Sequence, residues 1–487
     1  MMRGMPSVAR SRRAESASTP SGAGARVAAE APHEAGAGAS SSAPARGGQG
    51  PLPERIGEYR ILRKLGEGAT SEVFLGLDEF HAREVAIKRV RQAAVRDPVD
   101  GRYYSRFFAA EAGLVGRLQH PHVVQIYDAV TTADEQYLVM EYVPGNTLRP
   151  YCRPDQLLPL ELIVEIGFKC AMALGYVFRQ GLIHRDIKPA NILAMERAGQ
   201  VTDVKVSDFG SVLNLGADTT QVHRVGSLSY MSPEQLDGGP LSAQSDMYAL
   251  GAVLYHLMTG HPPVEGESQA ATIQRIMNAP VVPPSARRHG VVPAVDEVIL
   301  RALAKRPQDR YTDWDAFANA LAGLVTGRLV PRGNLQQVLD SERFNLLRKL
   351  PFFRHFDDVE LWEVVHQGRW QRYRTGHKLM ARGQPGRDFH IIAQGRVEVW
   401  RDGRKVETLT QGMLVGEMAY LAPSKEERLR TADVVAVDPL TTLSFTPETL
   451  AQLSVACRGR FNEAFIEVLV ERLHAAQEAL SQHSRGR

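Results

Sequence analysis

The sequence predicts a multidomain chain: a bilobal α+β domain followed by a mainly-β barrel with flanking helices. Three observations predict it. Composition changes sharply near residue 55, from Ala, Gly, Ser and Pro to an ordinary globular mixture. Short β-branched runs then fill residues 59–143 and give way to longer apolar helical stretches. After residue 370, strand-like runs punctuated by glycines return.

Length and charge bound the function. At roughly 150 residues per domain, 487 residues hold about three domains or two large ones. Lys and Arg number 58 against 55 Asp and Glu, a net charge of +3. That balance argues against nucleic acid or an anionic membrane as the main partner. The 3 cysteines, Cys152, Cys170 and Cys457, are too few and too scattered for a disulfide framework or a zinc site. They fit a reducing, cytoplasmic setting. The most apolar stretch, Met247–Met258, contains His256 and falls short of the roughly 20 residues of a membrane span. Arg3, Arg10, Arg12 and Arg13 are followed by no apolar core, so no signal peptide is expected.

Residues 1–55 have almost no large apolar side chain, so burial cannot offset the entropy lost on folding, and a disordered tail is expected. Tyr59–Leu65, Glu72–Asp78 and Glu84–Arg91 read as strands, Tyr103–Leu118 as a helix, and Val123–Val130 and Gln136–Val143 as two further strands. Helices follow at Leu160–Arg179, Ala243–Thr259, Ala294–Lys305 and Asp313–Val325. The first is apolar all round and so is expected to be buried. A turn-rich connector, Thr326–Asn334, and two short helical stretches lead to strands at Trp370–Tyr373, Phe389–Ala393, Val397–Trp400, Thr431–Val437 and Leu440–Phe445. A final helix repeats Phe461, Phe465, Leu469 and Leu473 at every fourth position.

The candidate chemistry lies in the first domain. Gly66-Glu67-Gly68-Ala69-Thr70-Ser71-Glu72-Val73 links two strands, and glycines there let backbone approach phosphate oxygens. Lys88 ends an apolar strand run, Val85-Ala86-Ile87, and its ammonium needs a charged partner. Glu111 on the next helix is the natural one. His184-Arg185-Asp186-Ile187-Lys188-Pro189-Ala190-Asn191 is followed by Asp208-Phe209-Gly210 at a spacing that suits a short hairpin.

Together these motifs resemble the protein kinase family, in family order, over residues 59 to about 325. The resemblance implies an N-lobe at 59–143 and a C-lobe at 144–325. It implies a serine/threonine protein kinase that uses ATP and Mg²⁺ and acts on protein substrates. Asp186 then matches the catalytic base, Lys188 a group that stabilises the transferred phosphoryl, and Asn191 and Asp208 the Mg²⁺ ligands. Lys88 matches the residue that orients the α- and β-phosphates and pairs with Glu111. Leu65 through Val73 match the phosphate loop, and Glu141 and Val143 the hinge whose backbone meets adenine. Asp246, and Arg310 with Glu234, match architectural positions. Thr219 and Thr220 match activation-loop phosphosites, with Arg185 as the receiver of the phosphate. Two positions depart from the pattern: Ser71 stands at the third glycine, and Ser232-Pro233-Glu234 replaces Ala-Pro-Glu. Both keep a small residue. A catalytically silent scaffold is the rival reading, but the lysine, base and metal ligands are all present.

Residues 345–475 resemble the cyclic nucleotide-binding fold, through Leu350-Pro351-Phe352-Phe353, Gly383 to Gly395, Gly416-Glu417-Met418-Ala419 and Arg430-Thr431-Ala432. The resemblance implies cAMP or cGMP as a regulatory ligand. Glu417 would accept from the ribose hydroxyl, backbone from Gly416 to Ala419 with Arg430 would hold the phosphate, and the last helix would act as a lid. The interval from Glu417 to Arg430 carries a charged insert, Ser424–Arg428, which makes Arg428 a second candidate. The alternative is a barrel that binds no nucleotide and serves docking or dimerisation. The stripe on the last helix suits either a homodimer contact or packing on its own barrel. Residues 326–344 are expected as a linker and 476–487 as a C-terminal tail.

Overall fold

Alternation of buried and exposed residues sets the first sheet. In the computed structural model, β1 (Arg55–Ile56), β2 (Tyr59–Glu67), β3 (Ser71–Asp78), β4 (Arg83–Val90), β5 (Ile126–Thr131) and β6 (Gln136–Glu141) form one sheet of order β1-β2-β3-β4-β6-β5. Its register pairs Val73 with Lys88, and Lys88 with Leu138. Val85 and Ile87 pack with Phe74, Tyr59 and Val139, so Lys88 projects to the opposite face. Helices α1 (Gln92–Val95) and α2 (Gly101–Ala112) lie between β4 and β5. The structure describes residues 52–68, 70–95, 101–132, 135–214, 228–330, 339–422 and 429–485.

The second lobe is built on α3 (Leu160–Arg179), buried on almost every side as its composition predicts. Before it comes the short strand β7 (Gly145–Thr147); after it come β8 (Leu182–Ile183), β9 (Ile192–Arg197), β10 (Gln200–Val206) and β11 (Leu213–Asn214). Helices α4 (Pro233–Asp237), α5 (Ala243–Thr259), α6 (Gln269–Asn278), α7 (Pro293–Ala302) and α8 (Trp314–Thr326) complete the lobe. Gly260 closes α5 in the left-handed region, φ 76°, where a side chain would be strained. α2 stops at Ala112, six residues before the expected end, and Gly116 turns the chain at φ 69°.

Two helices, α9 (Asp340–Leu347) and α10 (Asp358–Gln367), precede the barrel. Asp357 caps α10 and exchanges hydrogen bonds with Glu360 in both directions, at 2.8 Å each. The barrel has two four-stranded sheets. β12 (Arg369–Tyr373), β14 (Phe389–Gln394), β17 (Leu414–Val415) and β19 (Leu440–Phe445) form one. β13 (Lys378–Met380), β15 (Val397–Arg401), β16 (Arg404–Leu409) and β18 (Asp433–Ala436) form the other. The short helix α11 (Glu417–Leu421) follows β17, and α12 (Pro447–Ala451) and α13 (Val455–Arg485) end the chain. β13, β16 and β17 escape the sequence reading because they are short or, in β16, mostly polar and exposed.

Two expectations are corrected. Residues 476–485, expected as a tail, continue α13. Residues 340–344, expected as linker, start a helix that docks on the second lobe. The reason lies in α3, which buries Glu165 and Lys169. Ser341 donates its backbone N–H (3.0 Å) and its hydroxyl to Glu165, and Asp340 meets Lys169 at 2.9 Å. Phe344 and Trp362 stack at 4.7 Å and pack on Phe168. One apolar core therefore runs from α3 and α5 through Phe344 and Trp362 to Phe389 and Phe461. On α13, Phe461 and Phe465 are buried against Phe352 and Phe389, whereas Leu469 and Leu473 are 39% and 57% exposed.

Arg310 ties α4 to the start of α5 and to the segment after α7. Its side chain is fully buried, forks onto Glu234 at 2.7 and 2.8 Å, and donates to Ala304, Gln244 and Lys305 carbonyls. Arg310→Ala leaves Glu234 uncompensated and lowers stability by about 3–5 kcal/mol in urea unfolding. At the docked face, burial and the neighbouring His122 push His366 down to about 4, with Asp203, Lys169 and Asp340 also around it. A histidine favoured in its neutral form stabilises the fold fully above its unfolded value, roughly 6.5, and loses that contribution as pH falls toward about 4. Wild type therefore loses more stability over this window than His366→Gln does, measured by chemical unfolding at each pH.

Candidate active site

Lys88 draws three segments together. Its Nζ lies 2.8 Å from Glu111 Oε2 on α2 and 2.7 Å from Asp208 Oδ1, just beyond β10. Burial alone would lower the Lys88 ammonium, but the two carboxylates outweigh it and raise it, so Lys88 stays charged. The same ammonium holds the Asp208 carboxyl down to about 2. Glu111 is buried, whereas the Asp208 side chain is 42% exposed toward the cleft.

Asp186 lies across the cleft on the loop after β8. Lys188 Nζ donates to its Oδ2 at 2.6 Å, and the Asn191 amide donates to its carbonyl and to Oδ2 at 2.8 and 3.0 Å. The loop is held from behind. Buried Asp246 accepts the N–H groups of His184 and Arg185 at 2.7 and 2.9 Å, and Gln235 donates to the Arg185 carbonyl at 2.9 Å. His184 bonds the Ser207 carbonyl at 3.0 Å, which joins this loop to the segment carrying Asp208. Arg185 and Asp208 both take left-handed backbone, φ 70° and 65°, strain that only a well-determined surrounding sustains.

A cavity of about 400 Å³ collects Gly68, Thr70, Ser71, Lys88, Glu111, Asp186, Lys188 and Asp208 on one lining. Gly66 and Gly68 keep the hairpin close: Gly68 N–H donates to the Ser71 carbonyl at 2.8 Å. A side chain at Gly66 would meet nothing within 4 Å, which leaves room beside the backbone for a phosphate. Glu67 and Glu72 instead pair with Lys64, Arg89 and Arg91. Leu65 and Val73 lie on the flanking strands β2 and β3. Glu141, at the end of β6, pairs with Lys205 at 2.9 Å, and Val143 is buried just beyond it. Asn191 is buried behind Asp186. The oxygen groups of Asn191 and Asp208 suit a hard divalent cation. Ala69, Thr219, Thr220 and Arg428 lie outside the described residues. Phe107 and Phe108, which also line the cavity, escape the sequence reading. Their position one turn before Glu111 was the available signal.

The barrel holds a second cavity, about 190 Å³, that brings Gly416, Glu417, Ala419 and Arg430 together. Its two buried charged groups, Glu417 and Arg430, each have a partner. Arg430 bonds Asp388 at 2.5 Å and the Gly416 carbonyl at 3.0 Å. Arg472 of α13 bonds Glu417 and the Leu414 carbonyl. The His390 hydrogen bond, with Arg430 nearby, holds Asp388 down to about 2. Gly386 and Gly416 make room for the arginine: a Cβ at either would stand 2.1 or 2.4 Å from its guanidinium. Arg472 is the member sequence reasoning missed, because nothing local pairs it with Glu417.

The cyclic nucleotide-binding domain family matches residues 370–456. The chain is 39% identical over 267 residues to the serine/threonine-protein kinase PknB of Mycobacterium leprae, covering 53% of this chain and 42% of that one. It is 37% identical over 297 residues to PknB of Mycobacterium tuberculosis, covering 59% and 46%. It is 36% identical over 270 residues to the serine/threonine-protein kinase Pkn1 of Myxococcus xanthus, covering 55% and 38%. The chain thus spans less than half the length of these relatives. No helix among the described residues is long and apolar enough to cross a membrane. The protein kinase domain family matches residues 59–322, more than half of the sequence, and the chain belongs to that family.

Proposed function

We propose that this chain is a serine/threonine protein kinase that transfers the γ-phosphoryl of ATP to a protein hydroxyl. The observation that carries the reading is the convergence of Lys88, Glu111, Asp208, Asp186 and Lys188 on one cleft. Asp186 accepts the proton of the substrate hydroxyl. Lys188, 2.6 Å from it, lies where charge on the transferred phosphoryl needs neutralising. Lys88, held by its two carboxylates, meets the α- and β-phosphates. Asn191 and Asp208 would hold Mg²⁺, which would supply neutralisation of phosphate charge. Lysine two residues after the base is the serine/threonine pattern. The relatives named above carry serine/threonine kinase names, which supports the same choice.

The barrel makes the kinase a candidate for control by a cyclic nucleotide. Glu417 and Arg430 face one cavity, as a ribose and a cyclic phosphate require. A ligand there would meet Asp388 and Arg472 as the present partners of Arg430 and Glu417, which brings α13 to the site. The same two ion pairs favour the second reading, a barrel that satisfies itself and serves docking.

Asp186→Asn and Lys88→Met each reduce phosphoryl transfer by at least about 10²-fold while each variant stays folded by circular dichroism at the assay temperature. Transfer of radiolabelled phosphate to a generic basic substrate checks this, and near-normal transfer by either variant refutes the role assignment. Titration calorimetry of the full chain decides the barrel. Heat with cAMP or cGMP that Arg430→Ala abolishes supports nucleotide control. Silence with both at millimolar concentration supports docking.

A further inference from the structure

The docked helices α9 and α10 touch the kinase at one place with consequences for the cleft. Asp203 on β10 lies five residues before Asp208. It is held by Lys169 Nζ at 2.9 Å, by His122 Nδ1 at 3.2 Å, and more distantly by His366 of α10 at 4.0 Å. Lys169 in turn divides itself between Asp203 and Asp340 of α9, both at 2.9 Å. The Lys169 side chain is 3% exposed, so its ammonium has no water to fall back on and depends on these carboxylates and Glu165.

His122 brings in the other half of the cleft. It lies on the loop from α2, the helix of Glu111, to β5. Its carbonyl accepts the Val206 N–H at 2.8 Å, and the Val206 carbonyl accepts the Val124 N–H at 2.9 Å. Its ring packs edge-on to Trp362 of α10 at 4.5 Å. The two segments that deliver the carboxylates to Lys88 are therefore clamped to each other beside the docked helices. The same helices hold both: Asp340 reaches β10 through Lys169, and Trp362 and His366 touch the loop after α2.

We propose that α9–α10 is a positioning element of the kinase, in which Asp340 acts through Lys169 and Asp203 to set the geometry of Asp208 relative to Lys88 and Glu111. The barrel module is then part of the catalytic support rather than a separate attachment. The inference rests on the kinase reading for its effect on activity, but not for its mechanical part. Asp340 touches neither the cleft nor the barrel cavity, so it perturbs the linkage without removing a cleft group.

The test uses the full chain with Asp340→Ala, Asp340→Glu and, as a remote control, Arg396→Ala. Arg396 pairs with half-buried Asp438, and both lie in turns between barrel strands, outside α9, α10 and the kinase domain. Hydrogen exchange without nucleotide is the first readout. In Asp340→Ala, the Val124 and Val206 amides exchange about three- to tenfold faster than in wild type, while Asp340→Glu and Arg396→Ala stay near wild type. The second readout is the rate of phosphoryl transfer against Mg²⁺ concentration, well below the unfolding temperature. Half-saturation rises by a similar factor in Asp340→Ala and returns in Asp340→Glu. Unchanged exchange at both amides overturns the proposal. So does a lowered unfolding temperature with an unshifted Mg²⁺ dependence, because that is what a merely structural contact gives. Absence of transfer by wild type overturns the kinase reading instead, and the exchange data still decide whether the linkage exists.

Discussion

Lys88 carries a positive charge between two carboxylates, and much of the chain serves to keep it there. A buried ammonium is costly unless oppositely charged groups meet it at hydrogen-bond distance. Glu111 and Asp208 do so from segments 23 and 120 residues after it along the chain. Neither would stay in place alone. Glu111 needs α2 packed beside the sheet, and Asp208 needs β10 and the strained turn that follows it.

The loop around Asp186 depends on a second layer of buried ions. Asp246 fixes two backbone N–H groups of that loop, and Gln235 fixes the Arg185 carbonyl. Gln235 sits on the short helix that also bears Glu234, and Arg310 anchors that helix. The order is hierarchical: Arg310 holds the helix, the helix and Asp246 hold the loop, and the loop presents Asp186. Energetically this is a set of fully bonded polar groups in a dry interior, where a single unpaired member would be expensive.

The carboxy-terminal module belongs to the same construction. Its first helices supply partners for Glu165 and Lys169, and its aromatic residues extend the apolar core of the second lobe. In its own cavity, Arg472 and Asp388 occupy the two charged groups that a cyclic nucleotide would use. Arg472 of α13 reaches that cavity through Glu417. Between α13 and the segment after α9, Phe461 packs against Phe352 and Phe353.

The sequence by itself determined the elements whose signals are local. The apolar helix over residues 160–179, the helix over 243–259, the strand over 440–445 and the order of the cleft motifs were all legible, because periodicity and turn chemistry act over a few residues. The pairing of Lys88 with Glu111 was also legible, since a charge inside an apolar strand demands a partner nearby. Only the tertiary structure decided what lies far apart in the chain: that Asp340 completes Lys169, that Arg472 meets Glu417, and that α13 buries Phe461 and Phe465 but exposes Leu473. The reason is physical. A buried charge shows in sequence that it needs a partner, but which of many carboxylates or arginines arrives is settled by packing over the whole chain.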